Sequence, residues 1–323
     1  MERISTQPTF TDLTLDGLGS PRAAEFFERC NALIPFDELA ASVADIFVQD
    51  DSQGGRPHWP AVTMLKILFV QKCQSLSDPQ TEQMLLDRIS FRRFVGLSFD
   101  DNTPDQNTIW TFRERLLKAG HGATLFDKTL EILRAKGVIL QTGTLIDATI
   151  IEAPLGTKRA DGRNPAQPAA SGTAKNNRAY FGYRAHIATD RRGIVLNYIY
   201  DTASVSEHEH FDDLAASEKR MIFADSGCRS KERVDKLRAR GVLAGMCHHR
   251  VRGQKELTEL QQRFNRAVAG IRAFVEHPFA SIKKMLPDKT RYRTMSRNAL
   301  DFGLCAMIQN WRKSMPRLIA QAA

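Results

Sequence analysis

Apolar positions recur at helical spacing through most of the first 130 residues, and the pattern predicts helices over 23–34, 36–47, 61–72, 79–87, 89–95 and 108–118. Two stretches rich in Gly, Pro, Asp and Asn interrupt them: GGRPHWP (54–60) and DDNTPDQNT (100–108). The second offers several N-cap residues ahead of IWTFRERL, which carries Arg113 and Arg115. A polar turn before an arginine-bearing helix suits a helix-turn-helix-like DNA contact, and a bundle helix with a charged face reads the same way.

After Gly137 the period changes. Short β-branched runs predict strands over 144–151, 180–189, 194–202, 221–224 and 242–247, with DRRG (190–193) as a hairpin turn between the second and third. Helical periods fall at 208–217, 231–240 and about 257–285, where Pro278 should bend or restart the last helix near Glu276. The order strand, strand, strand, helix, strand, helix, strand, helix is that of a ribonuclease H-like α/β domain, a mixed sheet with flanking helices. The expected organisation is therefore an all-α domain at 1–135, then a ribonuclease H-like domain at 136–323 with basic C-terminal helices. The segment 155–179, rich in Gly, Pro, Ala and basic residues, reads as a long flexible loop near the substrate.

Composition narrows the function classes. No apolar run approaches the roughly 20 residues of a membrane span, and MERISTQPTF has no signal-peptide core, so a cytoplasmic, nucleoid-associated location is expected. Five scattered cysteines outside CxxC pairs argue against a disulfide framework or a cysteine-rich zinc site and read as reduced, mostly core residues. The net charge of +9 is uneven: residues 226–323 hold 21 Lys and Arg against 7 Asp and Glu, leaving 25 against 30 before them. A basic final third fits a polyanion, most simply nucleic acid; solvated helix faces are the bland alternative.

An aspartate inside TLIDATIIEAP (144–154) needs a specific partner, because ionised carboxylates are rarely buried alone. Glu152 is five residues from Asp147 and points to the other face of a continuous strand. Asp225, at the end of the apolar run in MIFADSGCRS, stands where open α/β sheets place ligand chemistry. Glu276 in RAFVEHPFASIKK lies on a helix face with Arg272, Phe279 and Lys283. Convergence of these three acids sets up repulsion of roughly 4 kcal/mol per pair at about 4 Å, at an effective dielectric near 20. Divalent cations remove it, and an all-oxygen ligand set favours Mg²⁺ or Mn²⁺ over zinc. Two such ions can assist an in-line phosphodiester displacement.

These segments resemble the DDE transposases of bacterial insertion sequences, in particular the subgroup whose third acidic motif is Tyr-x2-Arg-x3-Glu-x6-Lys. Arg272, Glu276 and Lys283 match that spacing; the tyrosine position holds Ala269, a departure. TLIDATIIEAP and IFADSGCRS are similar to the first two acidic motifs, YFGYRAHIATD (180–190) to the segment between them, and GRPHWPAVTMLKILFVQ (55–71) to the family's helical N-terminal region. The resemblance implies cleavage at the terminal inverted repeats of the protein's own element and joining of the 3′-hydroxyl ends to target DNA. Asp147, Asp225 and Glu276 would hold two Mg²⁺ (or Mn²⁺) ions, and Arg272 and Lys283 would contact phosphate. A homodimer or higher oligomer on double-stranded DNA is expected, because two ends must be held at once.

Two other readings share these residues: a ribonuclease H-like metal-dependent nuclease without strand transfer, and an inactive DNA-binding relic. A zinc hydrolase would use His208 and His210 or His248 and His249, but no HExxH is present and i, i+2 residues do not share a helix face. Trp59, Trp110 and Trp311 read as core or interface residues, and no glycine-rich phosphate loop appears.

Overall fold

A computed structural model describes residues 22–47, 58–156, 166–175, 177–250 and 254–322. The N-terminal decapeptide, most of the 54–60 connector and positions 157–165 of the expected loop lie outside these residues. The chain divides into two compact units, Met1–Ile132 with Met315–Ala323, and Leu133–Ser314.

The first unit is helical: α1 (Arg22–Leu33), α2 (Phe36–Ala41), α3 (Ala61–Cys73), α4 (Asp78–Asp87), α5 (Ile89–Val95), α6 (Gln106–Lys118) and α7 (His121–Ala135), whose last residues run into the second unit. The helix expected over 36–47 stops at Ala41. There the Ser42 hydroxyl donates back to the Leu39 carbonyl at 2.7 Å, and a 3₁₀ turn takes over at Ala44–Phe47. Phe94 is the hub of an aromatic core, meeting Phe27, Phe36 and Phe69 with centroids 5.0–5.7 Å apart.

The second unit holds one sheet built from β1 (Thr144–Glu152), β2 (Ser171–Lys175), β3 (Arg178–Asp190), β4 (Val195–Thr202), β5 (Met221–Ala224) and β6 (Leu243–Met246). The order is β2-β3-β1-β5-β6, with β4 following β2 along the same edge of β3. β3 runs antiparallel to β1, β2 and β4, whereas β5 is parallel to β1 and β6, giving the mixed ribonuclease H-like sheet that was expected. The turn after β3 forms as DRRG predicts: Asp190 Oδ1 accepts from Arg192 N and Ile194 N, both at 2.9 Å, and Gly193 takes a φ of +82°.

Helices cover both faces. On one, α8 (Phe211–Leu214) and α9 (Lys231–Ala239) pack Phe211, Leu214 and Leu237 against Ile146, Ala188 and Ile222. On the other, α12 (Met295–Ala322) sets Phe302 against Tyr198 and Tyr200, and Asn310 hydrogen-bonds both the Val195 N–H and its carbonyl at 2.7 and 2.8 Å. The long helix expected near 257–285 is α10 (Glu259–Arg272), a 3₁₀ turn at Ala273–Val275, and α11 (Glu276–Met285). It restarts at Glu276 because the ring of Pro278 cannot supply an N–H to the preceding turn.

Two expectations need correction. β2 falls within the segment read as loop; SGTAK shows no apolar alternation, and its strand character comes from pairing with 178–182 of β3. The helix expected over 208–217 is one turn, Phe211–Leu214, because Ser206 and Glu209 close a separate polar turn ahead of it, with Glu209 Oε1 accepting from Ser206 N at 2.9 Å.

The β1/β3 pair tolerates no side chain at Gly182, opposite Glu152. A Cβ there would overlap the Ile151 carbonyl oxygen and stand 2.9 Å from Ala153 N. Gly182→Ala is expected to cost about 3 kcal/mol by overpacking, read as a lower urea midpoint; an unchanged midpoint would contradict this packing.

Candidate active site

Strand register brings the first two acids together. β1 and β5 run parallel with Leu145 opposite Phe223, and two residues further along each chain stand Asp147 and Asp225. Parallel neighbours in register share a face at about 4.8 Å, so both carboxylates emerge side by side where β5 ends and the chain turns into the 3₁₀ segment Ser226–Cys228. Asp147 lies within β1, its carboxylate Oδ1 accepting the Ala148 N–H at 2.9 Å.

Arg272, the last residue of α10, closes the pair. Its Nη1 donates to Asp225 Oδ1 at 3.0 Å, and its Nη2 lies 3.8 Å from Asp147 Oδ1. Helix α10 is fixed for this task by a capping box of Thr258 and Gln261, and by Asn265, which accepts from His248 N at 2.7 Å and donates to its carbonyl at 2.9 Å. Burial pushes the Asp147 carboxyl up; the Ala148 N–H, Arg272 and Lys175 oppose that, and Asp225 adds to it.

Glu276 opens α11 one helical turn beyond Arg272 and is exposed, with no hydrogen bond or ion pair among the described residues. Lys283, on the same helix, is exposed over much of its length. Where it meets the protein, burial and then Lys175 lower its ammonium pKa, while Glu152 raises it.

The arginines expected on α6 divide. Arg115 is half-buried. Arg113 is withdrawn from the expected DNA contacts, because its side chain is only 2% exposed and grips Asp78 through two bonds, Nη1 to Oδ1 at 2.8 Å and Nη2 to Oδ2 at 2.7 Å. Gln71 also donates to Asp78, at 2.7 Å. A buried guanidinium held through both Nη atoms fixes α6 to α4 and is not exposed to a phosphate.

Sequence reasoning missed Glu207, having read EHEH for its histidines. Glu207 is half-buried, and its carboxyl is pushed up by burial and then by the charges of Asp147 and Asp225, with Lys175 and Arg184 pulling it back. The available signal was an acid following β4, which pairs with β3, the neighbour of the Asp147 strand. The histidines have other roles: His210 Nε2 meets Asp201 Oδ2 at 3.0 Å, and His248 packs edge-on against Phe264. All five cysteines are free thiols, four of them buried, and the Cys228 thiol is pushed up to about 12 by burial and then by Glu207. Trp59 and Trp311 are core residues, whereas Trp110 is 47% exposed.

Among the described residues no three His, Cys, Asp or Glu side chains close to metal-ligand distance. Between Asp147 and Asp225 the shared cation is the Arg272 guanidinium, whose Nε is buried without a partner. Two carboxylates already gathered around one positive charge suit a hard divalent ion, which takes oxygen ligands.

Residues 19–115 match a family described as "Transposase domain (DUF772)", and residues 140–311 match the "Transposase DDE domain". The fold is similar to a chain in the cryo-EM structure of the piggyBac transposase synaptic complex with hairpin DNA, at 11% identity and a TM-score of 0.49, covering 98% of this chain and 78% of that one. No helix among the described residues is long and apolar enough to cross a membrane.

Proposed function

The chain belongs to the DDE transposase family, whose domain covers more than half its length, and from that premise we propose how this DNA transposase works: it cuts the ends of its own insertion sequence and joins the freed 3′-hydroxyls to target DNA. The observation that carries the reading is one guanidinium, Arg272, bridging Asp147 and Asp225, which lie far apart in sequence but on adjacent parallel strands.

Members of the family generally use divalent metal ions. Here Asp147, Asp225 and Glu276 would hold them, as two Mg²⁺ or Mn²⁺ ions. When bound, such ions lower the pKa of the attacking hydroxyl and offset charge on the leaving oxygen. Asp147, within β1, and Asp225, just past the end of β5, would present their carboxylates side by side. Arg272 and Lys283 neutralise DNA phosphate beside them, the interaction that dominates DNA affinity. In cleavage a water oxygen bonds to phosphorus and the P–O3′ bond breaks; in joining, that 3′-hydroxyl attacks a target phosphodiester and displaces its 3′ oxygen.

Residues 1–135 would bind element ends and dimerise, and 136–323 would carry the chemistry. Two or more protomers act together on two ends.

Full-length protein given a pre-cleaved element-end duplex, a supercoiled plasmid and Mg²⁺ should produce plasmid joined to the duplex. Nicked plasmid with no joined product would establish the nuclease without strand transfer instead.

A further inference from the structure

We infer that the end of β1 carries a second phosphate-binding surface for duplex DNA, made by Lys175 and Arg178 of the β2–β3 hairpin and Lys289 of the connector between α11 and α12. The inference rests on the proposed transposase reading and adds where the duplex beyond the cut would lie.

Two elements lead from the acids to this place. β1 covers about 17 Å between Asp147 and Glu152, at roughly 3.4 Å per residue. α11 covers about 15 Å from Glu276 to Met285, at roughly 1.5 Å per residue. The connector that follows α11 then meets β1, where Thr290 N donates to the Glu152 carbonyl at 2.8 Å. Either span is the rise of about five base pairs, at roughly 3.4 Å each, so the surface addresses backbone beside the scissile phosphate and not that phosphate itself.

The hairpin brings two of the cations. Pairing of β3 with β1 ends at Glu152↔Gly182, and residues 178–181 pair with β2 as a two-stranded ribbon. On that ribbon Lys175 stands directly opposite Arg178, and both are exposed. Like charges directly across a strand pair are destabilising, and an anion lying over both removes that cost. The ion pair of Arg178 with Glu152, at 3.6 Å between exposed side chains, offsets little of it. The Arg178 guanidinium lies over the Tyr180 ring, 5.0 Å from the centroid, which limits its freedom before any ligand arrives.

The connector brings the third. Residues 283–293 read KKMLPDKTRYR, five cations against Asp288, and Lys284 and Lys289 are exposed. Asn298 accepts from Tyr292 N at 3.2 Å and donates to the carbonyls of Tyr292 and Thr294 at 2.8 and 3.1 Å. Gln167 also donates to the Tyr292 carbonyl, at 3.0 Å, and is itself fixed by the Tyr183 hydroxyl at 2.9 Å. A connector tied at so many points has little loop entropy left to lose on binding. Cations from two segments far apart in sequence are thus preformed at one strand end, an arrangement that suits the regularly spaced charges of a duplex.

The test uses full-length protein in EDTA, binding a fluorescent duplex of random sequence across a salt series, because phosphate contacts carry no sequence information. Lys175→Gln, Arg178→Gln and Lys289→Gln together should weaken binding about tenfold or more and flatten the slope of log affinity against log salt by about 3, close to 0.9 per lost contact. Lys219→Gln, Arg220→Gln and Arg238→Gln together remove the same charge from other exposed positions and should leave both quantities near wild type. Equal losses in the two triple variants would show an effect of net charge alone and overturn the surface. The wild type gives a check free of any folding defect: the duplex should protect Lys175 and Lys289, but not Lys219, from acetylation read by mass spectrometry. Unprotected Lys175 and Lys289 overturn the inference. If the first triple variant binds as the wild type does, the surface falls, while Mg²⁺-dependent joining by the wild type keeps the transposase reading. A wild type that binds no duplex sinks both.

Discussion

Asp147→Asn and Asp225→Asn proteins are expected to lose Mg²⁺-dependent cleavage of element-end DNA by about three orders of magnitude or more, on the order of 4 kcal/mol in the barrier, while binding that DNA as the wild type does. An amide keeps the size of the side chain and removes the anionic oxygen a divalent ion needs. For Asp147 the loss cannot be blamed on unfolding. Its folded pKa is raised, chiefly by burial, so its ionisation takes stability away as pH rises from the ordinary aspartate range through the folded pKa. At neutral pH the amide should therefore be at least as stable as the acid in the absence of metal. Arg272 would still keep its shorter contact, 3.0 Å to Asp225. The measurements are a gel cleavage assay with and without Mg²⁺ and a binding isotherm on the same duplex. Cleavage above about a tenth of wild type in either variant would remove that aspartate from the site.

Arg113→Met is expected to destabilise the helical unit by about 3 to 5 kcal/mol, because it strands the Asp78 carboxylate among buried groups. Urea unfolding would show it as a lower midpoint at constant slope. Replacing both partners, Arg113→Met with Asp78→Leu, should recover much of the loss, since neither charge of the pair is then left without the other. Burial raises the Asp78 pKa, but the Arg113 bonds and charge, with help from Gln71 and Lys72, outweigh it and hold it below the usual aspartate value. A depressed carboxylate contributes stability that is present above its unfolded pKa and lost as pH falls through the folded one. The wild type should accordingly lose more stability than the double variant below about pH 4, the usual aspartate pKa. If Arg113 instead contacted DNA, Arg113→Met would keep its urea midpoint and flatten the salt dependence of DNA binding.

The contrast between Arg113 and Arg272 shows where reading a sequence stops. Both are arginines on amphipathic helices near acidic segments. Arg113 is sealed against Asp78, 35 residues away, whereas Arg272 spans two aspartates 125 and 47 residues away. Periodicity reports which face of a helix is polar, and it carries no information on which distant acid that face will meet. The same limit hid Glu207. Nothing in SEHEH separates a half-buried carboxylate from solvated ones, because a loop side chain has no period; the backbone around it is held by Arg233 and by the Ser206–Glu209 turn. β2 was missed for a related reason, since SGTAK is a strand only through its partner.

By itself the sequence determined the local structure with strong periodic or turn signals: most helices of the first unit, the five apolar strands, the Asp190–Gly193 turn and the restart at Glu276. It also determined that Asp147 required a partner, because a charge in an apolar run cannot be left alone. Only the tertiary structure decided which groups answer it. The parallel register of β1 on β5 sets Asp147 beside Asp225, and the seating of α10 delivers Arg272. Those are long-range choices: they depend on how whole elements bury their apolar faces against one another, which no local stretch of sequence contains.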